Sequence, residues 1–107
     1  MGMVRTRKRR NDTTHFVYVI TNMYTNEQYI GITVKNGTVF KTLKRRIQKH
    51  VQRATAENKS WALCEEIRAW GPEAFNFGFV EQIRGRKAAH QRERQLITEF
   101  NPALNTF

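Results

Sequence analysis

Two short runs rich in β-branched and aromatic residues, separated by a polar reversal, constrain the fold of this chain most. Residues 15–20 and 28–33 have the composition of β-strands. The stretch between them contains two threonines and two asparagines, which suit a turn, so the order predicts a β-hairpin. Both faces of the first run are apolar, and we therefore expect that strand to lie centrally in a sheet that is covered on both sides.

A helix is predicted for residues 41–54, because apolar residues recur there at helical spacing. Its apolar stripe consists of Leu43, Ile47, Val51 and Ala54, which fall within about 80° of one another on a helical wheel. His50 lies inside this stripe. Arg46 lies about 60° from Leu43, at the edge of the stripe, whereas Arg45 points about 160° away. We therefore expect Arg46, and not Arg45, to border a cleft against the sheet.

Three further elements are predicted along the rest of the chain. Residues 60–70 are expected to form a helix that starts at the N-cap Ser60 and stops at Gly71. Residues 76–83 have the pattern of a third strand, with Phe77, Phe79 and Glu81 on one face. Residues 86–100 are expected to form the last helix. The predicted fold class is α+β, with a small three-stranded mixed or antiparallel sheet flanked by about three helices.

The charge of the chain indicates the class of its partner. The 19 Lys and Arg residues outnumber the nine acidic residues, and the formal net charge is +10. A polyanion is the natural partner, and nucleic acid is favoured over an anionic membrane. The cations that we expect to contact it are Lys35, Lys44, Arg45 and Lys49, together with Arg5, Arg7, Lys8, Arg9 and Arg10 near the N-terminus.

Residues 1–14 lack apolar periodicity and are expected to form a flexible basic arm. Such an arm either clamps nucleic-acid phosphates or is a plain tail, and the sequence leaves both alternatives open. Residues 15–107 are expected to form one domain, since a chain of 107 residues has room for one core. No apolar run reaches the roughly 18 residues of a membrane span. No signal peptide is recognisable and Cys64 has no partner cysteine, so we expect a cytoplasmic, intracellular protein.

A carboxylate on an apolar stripe is the sharpest single observation. The stripe of the last predicted helix consists of Ala89, Leu96, Ile97 and Phe100, and Glu93 falls inside it. A buried carboxylate is costly unless it is paired, protonated or bound to a cation. Alone, Glu93 is best explained by a salt bridge to an arginine. Together with Tyr18, Tyr29 and Arg46 it suits phosphodiester cleavage, which needs a base, positive charge on the phosphoryl oxygens and help for the leaving oxygen.

Each of these residues also has a purely structural explanation. His50 can hold or deprotonate a phenol, or it can be a hydrogen-bonded histidine at the edge of the core. Each tyrosine can simply pack in its strand with the hydroxyl at the rim. The residues His15, His50, His90 and Cys64 show no zinc-site spacing. Cys64 is interpreted as a small core residue. Trp61 and Trp70 are interpreted as core aromatics, with stacking on DNA as the alternative.

The ordered set of motifs resembles the GIY-YIG nuclease family. Residues 16–18 stand where the first triplet belongs, and residues 29–31 match the second triplet at normal spacing. Arg46 with His50 four residues later resembles the helix that follows in the family. Residues 69–75 resemble the usual lead into the third strand of the family. Residues 93–97, followed by 101–105, resemble its metal-ligand helix and closing asparagine. Any one motif is weak, but the five occur in the right order between residues 15 and 105.

The resemblance implies Mg²⁺- or Mn²⁺-dependent hydrolysis of double-stranded DNA. By position, Tyr18 resembles the general base and His50 its assistant, while Tyr29 would orient the water or the phosphate. Arg46 would stabilise the phosphoryl charge and Glu93 would bind the metal. Asn105 would brace the site, and Gly31 would serve a structural role. The choice of Tyr18 over Tyr29 as the base is left open by the residues themselves.

Two departures from the family pattern are visible. The first triplet keeps only its tyrosine, and the stretch between Gly31 and Arg46 is slightly long, so residues 35–42 are expected to touch DNA. The amino-acid sequences of the two strands are most similar to those of phage or mobile-element nucleases. The rival hypothesis is a non-catalytic nucleic-acid-binding module that keeps the fold. Monomer and homodimer, a recognition sequence or none, and nicking or double-strand cleavage all remain open.

Overall fold

A computed structural model describes residues 13–57, 59 and 61–105 of the chain. The predicted arm lies outside this part except for its last two residues, so the five basic residues assigned to DNA there stay predictions. Ser60 also lies outside it. The second helix has Trp61 as its N-cap, and the N-cap predicted at Ser60 is therefore wrong.

The described chain forms three strands and three α-helices. In chain order they are β1 (Thr14–Asn22), β2 (Gln28–Val34), α1 (Val39–Thr55), α2 (Ala62–Trp70), β3 (Phe75–Arg84) and α3 (Arg86–Phe100), with a 3₁₀ turn at Pro72–Ala74. Both strand pairings are antiparallel and the spatial order is β2-β1-β3. The predicted hairpin, the central position of β1 and the α+β fold class are confirmed, and the mixed alternative for the sheet is not realised.

The long helix α1 begins two residues before its predicted start because a threonine cap precedes it. The Oγ1 atom of Thr38 accepts a hydrogen bond from the backbone N–H of Lys41 at 3.1 Å. Thr42 then ties the preceding loop to the helix, since its Oγ1 accepts from the N–H of Asn36 at 2.9 Å and donates to the Asn36 carbonyl at 3.0 Å. These bonds fix where the helix that carries Arg46 and His50 starts.

Helices cover both faces of the sheet. On one face α1 and α2 close over a core of Tyr18, Ile20, Tyr29, Leu43, Ala54, Leu63, Cys64, Ile67 and Leu104. On the other face α3 packs over Val17, Ile30 and Leu96. The alternation of side chains along β1 therefore sends Tyr18 toward α1 and Val17 toward α3. Cys64 is fully buried, as predicted.

A β-bulge in β3 moves one predicted side chain to the opposite face. Val17 pairs with Glu81, but the next residue, Tyr18, pairs with Phe79, so Val80 is an extra residue without a partner in β1. The prediction that Glu81 shares a face with Phe77 and Phe79 is therefore wrong. Glu81 instead lies on the α3 side, where both carboxylate oxygens accept from Arg92 Nε at 3.2 Å.

Two predicted core aromatics lie at the surface. Trp70 is 45% exposed and stacks on Tyr24 with ring centroids 5.4 Å apart. Phe100 is 59% exposed although its helix has the predicted bounds. Each is the last residue of its helix, where few neighbouring residues remain to pack against the side chain. Among the described residues, no helix is long and apolar enough to cross a membrane.

Candidate functional site

The Tyr18 hydroxyl lies at the centre of a buried polar cluster. The side chain is 2% exposed in the central strand. Its oxygen lies 2.8 Å from His50 Nε2 and accepts a hydrogen bond from Arg46 Nε at 3.1 Å. Residues four apart share one face of a helix, so a single turn of α1 presents both partners to the phenol. The predicted edge position of Arg46 is what allows this contact, and Arg45 is exposed as expected.

Gly31 makes room for this cluster. It pairs with Tyr18 across the β1–β2 ladder. A Cβ atom at residue 31 would lie 2.6 Å from the Tyr18 oxygen, 2.7 Å from Tyr18 Cζ and 2.8 Å from Tyr29 Cε2. Those distances are shorter than carbon contacts tolerate, so any side chain here would push a phenol away. The structural role predicted for Gly31 is therefore to let both tyrosine rings lie over the strand.

Tyr29 is the second phenol of the site. It is 8% exposed, and its ring centroid lies 6.3 Å from that of Tyr18 and 5.2 Å from that of His50. Burial raises the pKa of Tyr29, and the Arg46 charge opposes that rise. Burial likewise raises the pKa of Tyr18, with Tyr29 adding to the rise and Arg46 opposing it. Both phenols therefore hold their protons in the free protein at neutral pH.

His50 is held neutral. Burial, and then the charges of Arg46 and Arg53, lower its pKa from 6.5 to about 3. Because the Tyr18 oxygen already accepts from Arg46, its own proton can be donated to the lone pair of a neutral His50 Nε2. His50 Nδ1 is buried and has no hydrogen-bond partner among the described residues. The cluster is thus arranged as a proton path from Tyr18 to His50.

Glu93 approaches the cluster from α3. Its side chain is 22% exposed, and one carboxylate oxygen lies 3.7 Å from His90 Nδ1. Burial raises the pKa of Glu93, while His90 and Arg46 oppose the rise. The Glu93 charge in turn raises the pKa of both phenols. In the part of the chain that the structure describes, no arginine lies within ion-pair distance of Glu93. A salt bridge to an arginine therefore has no support among those residues.

The donor set at Glu93 fits a mostly hydrated hard cation. Within residues 13–57, 59 and 61–105, no three His, Cys, Asp or Glu side chains are grouped as metal ligands. A closed zinc site, which takes about four protein ligands, therefore has no support there. One partly exposed carboxylate that is costly to keep charged matches Mg²⁺, which is commonly held by one or two carboxylates and several waters.

Asn105 fixes the strand that carries Tyr29 and Gly31. Its Nδ2 donates to the Ile30 carbonyl at 2.8 Å, and its Oδ1 accepts from the Ile30 N–H at 2.7 Å. The N–H of Leu104 also bonds to the Gln28 carbonyl at 3.0 Å. Asn105 therefore provides hydrogen-bond partners for the Ile30 backbone at the outer edge of β2. Its contacts fit the bracing role that was predicted, since they are to backbone and not to the polar cluster.

The cations assigned to nucleic acid lie at the surface beside the site. Lys35, Lys44, Arg45 and Lys49 are all exposed. Arg45 and Lys49 border a cleft of about 360 Å³ that Arg46 also lines. The Lys44 ammonium lies 5.8 Å from the Phe40 ring centroid. Their contacts with DNA stay predictions.

The sequence did not predict a second cleft, of about 480 Å³, which Arg46 also lines. His15, Arg86 and His90 line it, and none of them was selected as a site residue. The only motif considered for the two histidines was zinc spacing. No periodic signal connects these three positions, because each comes from a different part of the chain.

Two comparisons relate these features to known proteins. The family model of the GIY-YIG catalytic domain matches residues 14–106. The structure of the catalytic domain of the homing endonuclease I-TevI is similar, with a TM-score of 0.65 and 23% sequence identity, covering 87% of this chain and 95% of that chain. At that identity the likeness shows the shared fold alone. No curated protein matches the sequence significantly.

Proposed function

We propose that this chain, which belongs to the GIY-YIG nuclease family, is a divalent-metal-dependent endonuclease that hydrolyses phosphodiester bonds of double-stranded DNA. The nuclease class follows from the family, and the substrate, the metal and the residue roles are our proposal. The observation that supports it best is the buried Tyr18 hydroxyl, which contacts both Arg46 and His50. A tyrosine kept only for packing would not need two polar partners at its oxygen.

Tyr18 is proposed to act as the general base with His50 as its proton acceptor. As the water oxygen bonds to phosphorus and the bond from phosphorus to the leaving oxygen breaks, one water proton moves to the Tyr18 oxygen while the Tyr18 proton moves to His50 Nε2. The leaving oxygen takes a proton from solvent. The net result is a neutral phenol and an imidazolium. The low pKa of His50 makes this transfer unfavourable in the free protein. A phosphate anion beside Arg46 would raise that pKa, since a nearby negative charge favours the imidazolium.

Arg46 is proposed to stabilise the charge that develops on the phosphoryl oxygens. Only its Nε atom is engaged with Tyr18 in the hydrogen bonds described. A guanidinium has five N–H donors, so the remaining donors can pair with phosphate in a fork. Tyr29 is proposed to orient the water or the phosphate from the adjacent strand.

Glu93 is proposed to be the residue that would hold the divalent ion. When bound, Mg²⁺ or Mn²⁺ supplies Lewis acidity to the phosphoryl group and to the leaving oxygen. The raised pKa of Glu93 supports this assignment, because a desolvated carboxylate is stabilised by an adjacent cation. An intracellular location, a phage or mobile-element origin and a monomeric or dimeric state remain proposals.

The direct test is cleavage of supercoiled plasmid with Mg²⁺ or Mn²⁺, followed by mapping of the ends. We expect nicked or linear product that is lost in EDTA and in Glu93→Ala. Glu99→Ala is the matched control, because Glu99 is an exposed glutamate on the same helix. Cleavage by Glu93→Ala at the rate of the wild type would contradict the metal role. Salt-sensitive binding with no cleavage in any divalent metal would favour the rival binding module.

A further inference from the structure

The 480 Å³ cleft lies where the start of β1, the end of β2 and the first turns of α3 meet, and Arg46 of α1 also lines it. Its lining residues are Thr13, His15, Ile32, Thr33, Val34, Arg46, Arg86 and His90. A volume of this size is within the range of pockets that hold one small ligand. The cleft is therefore large enough to be a binding site in its own right.

The cleft adjoins the candidate catalytic groups through two of its lining residues, Arg46 and His90. Arg46 lines it and donates to the Tyr18 oxygen at 3.1 Å. His90 lines it as well and lies 3.7 Å from the Glu93 carboxylate. A phosphodiester held between Tyr18 and Glu93 would therefore have its neighbouring nucleotide at the mouth of this cleft.

Among the residues that the structure describes, the charged part of the lining is basic. Arg46 and Arg86 contribute guanidinium groups, and no described lining residue is acidic. Since Arg46 is engaged at Tyr18, Arg86 is the cation available for a second anionic group. Guanidinium groups suit phosphate because their planar fork matches two phosphate oxygens.

The floor of the cleft offers an acceptor of defined orientation. His15 is 5% exposed, and its Nδ1 lies 3.0 Å from the Thr13 carbonyl oxygen. A carbonyl can only accept, so Nδ1 donates to it, and in the tautomer with its one proton on Nδ1 the Nε2 atom is an acceptor. Ile32 and Val34 add an apolar wall beside it. An apolar wall with a single acceptor suits the edge of a nucleobase that presents a donor.

Backbone hydrogen bonds hold these parts in place without a ligand. The Thr13 carbonyl that orients His15 also accepts from the N–H of Gly85 at 3.0 Å, directly before Arg86. The N–H of Lys35 donates to the Thr14 carbonyl at 2.9 Å, which ties down the end of β2. The backbone segments that carry the histidine, the arginine and the apolar wall are therefore fixed relative to one another.

We propose that this cleft binds the nucleotide next to the scissile phosphate, with Arg86 on its phosphate and His15 Nε2 on an exocyclic amino group of its base. Adenine, cytosine and guanine present such an amino group and thymine does not. Arg86 and His15 would then bias where the nuclease cuts. This inference rests on the proposed function, because it assumes that a nucleic-acid phosphodiester occupies the catalytic groups.

The phosphate contact is tested by binding of duplex oligonucleotides to the Glu93→Ala protein, with one neutral methylphosphonate linkage placed at successive positions. One position next to the mapped cut should weaken binding by about tenfold, as expected for one charge-assisted hydrogen bond. In the double variant Glu93→Ala, Arg86→Ala, the methylphosphonate linkage at that position should no longer weaken binding, while its effect at the other positions should be unchanged. Lys87→Ala is the matched control, since it removes an exposed neighbouring charge that does not line the cleft, and it should retain the penalty. Equal scans for Arg86→Ala and Lys87→Ala would overturn the proposal.

The base contact is tested by replacing guanine with inosine at the same position, which deletes the exocyclic amino group alone. We expect binding to fall by about fivefold, as for one lost hydrogen bond, and His15→Phe to abolish that difference. Thermal unfolding of His15→Phe shows that it is folded. An inosine penalty that persists in His15→Phe would assign the amino group to another contact and overturn the role of His15.

These tests separate the cleft from the catalytic proposal because they measure binding. Wild-type protein that binds without cutting would defeat the endonuclease proposal, while an Arg86-dependent linkage in the same scan would still support the cleft. Wild-type protein that cuts, with no Arg86-dependent linkage in the scan, would defeat the cleft proposal alone.

Discussion

The two halves of the candidate site differ in how completely the free protein builds them. On the α1 side, Tyr18 and His50 are almost fully buried and, with Arg46, are joined by hydrogen bonds of 2.8 and 3.1 Å. On the α3 side, Glu93 is partly exposed and its one described ion-pair partner is an imidazole 3.7 Å away. Folding alone fixes the α1 half, whereas in the α3 half the Glu93 carboxylate has no closer cationic partner among the described residues than His90. In the proposed mechanism, the groups for proton transfer are therefore in place before DNA binds, whereas Glu93 still needs a cation.

The largest expected effect is on turnover in the fixed half. Arg46→Ala should lower kcat by about 10²- to 10³-fold, as for removal of one preorganised donor at a developing charge. Arg45→Ala, one residue earlier on α1, should leave kcat nearly unchanged and weaken DNA binding in a salt-dependent way. Single-turnover cleavage together with binding isotherms measures both effects. A larger loss of kcat in Arg45→Ala than in Arg46→Ala would contradict the site geometry.

The next effect is steric and affects folding and catalysis together. Gly31→Ala places a methyl group 2.6 Å from the Tyr18 oxygen, so a phenol must move. Overpacking of this kind costs about 1–3 kcal/mol of stability, and turnover should fall with it. Gly78→Ala is the matched control in a strand, because its Cβ would meet nothing closer than 3.8 Å. Urea unfolding of both variants gives the difference in the free energy of unfolding. Equal values would show that the packing around Tyr18 can accommodate the added methyl group.

The third prediction concerns pH. The pKa of His50 is depressed to about 3 in the folded protein and is near 6.5 when the chain is unfolded. The unfolded state therefore binds the extra proton first, and this contribution to stability is present above pH 6.5 and is lost as pH falls toward 3. The loss is at most about 1.4 kcal/mol per pH unit. Urea unfolding of the wild type and His50→Gln at pH 7, 5 and 4 measures it. Parallel curves for the two proteins would mean that His50 is not held neutral.

The smallest expected effect on stability is in the α3 half of the site, and it sharpens the contrast most. Glu93→Gln should eliminate metal-dependent cleavage but leave the free energy of unfolding unchanged or slightly higher at pH 7. The reason is that burial already raises the pKa of the Glu93 carboxyl, so the folded protein gains little from that charge. A loss of stability as large as that of Gly31→Ala would show that the carboxylate is a structural ion pair after all.

Local pattern was sufficient for most of the fold. The hairpin, the central strand and the bounds of α3 were predictable because strand alternation and helical spacing are strong in those segments. The bulge at Val80 was not, since one extra residue leaves the composition of a strand unchanged and only the register against β1 reveals it. Exposure of Trp70 and Phe100 was missed because a helical wheel shows the direction of a side chain but not where its neighbours end.

The candidate site divides in the same way. Convergence of Tyr18, Arg46 and His50 could be anticipated, because one strand face and one helix turn define it. The cleft beside them could not, because His15, Arg86 and His90 meet only through the Thr13 carbonyl and the start of α3. The family model identifies the kind of nuclease, whereas the roles of individual residues await the experiments above.

The unpaired residue in β3 also affects how copies of this protein meet one another. β3 is an outer strand of the sheet, and an outer strand with regular spacing is an open template on which further chains can polymerise. Val80 interrupts that spacing halfway along and adds local twist, so a second strand cannot run flat along the whole edge. We therefore expect the same irregularity that turns Glu81 toward α3 to disfavour pairing of this edge with another strand.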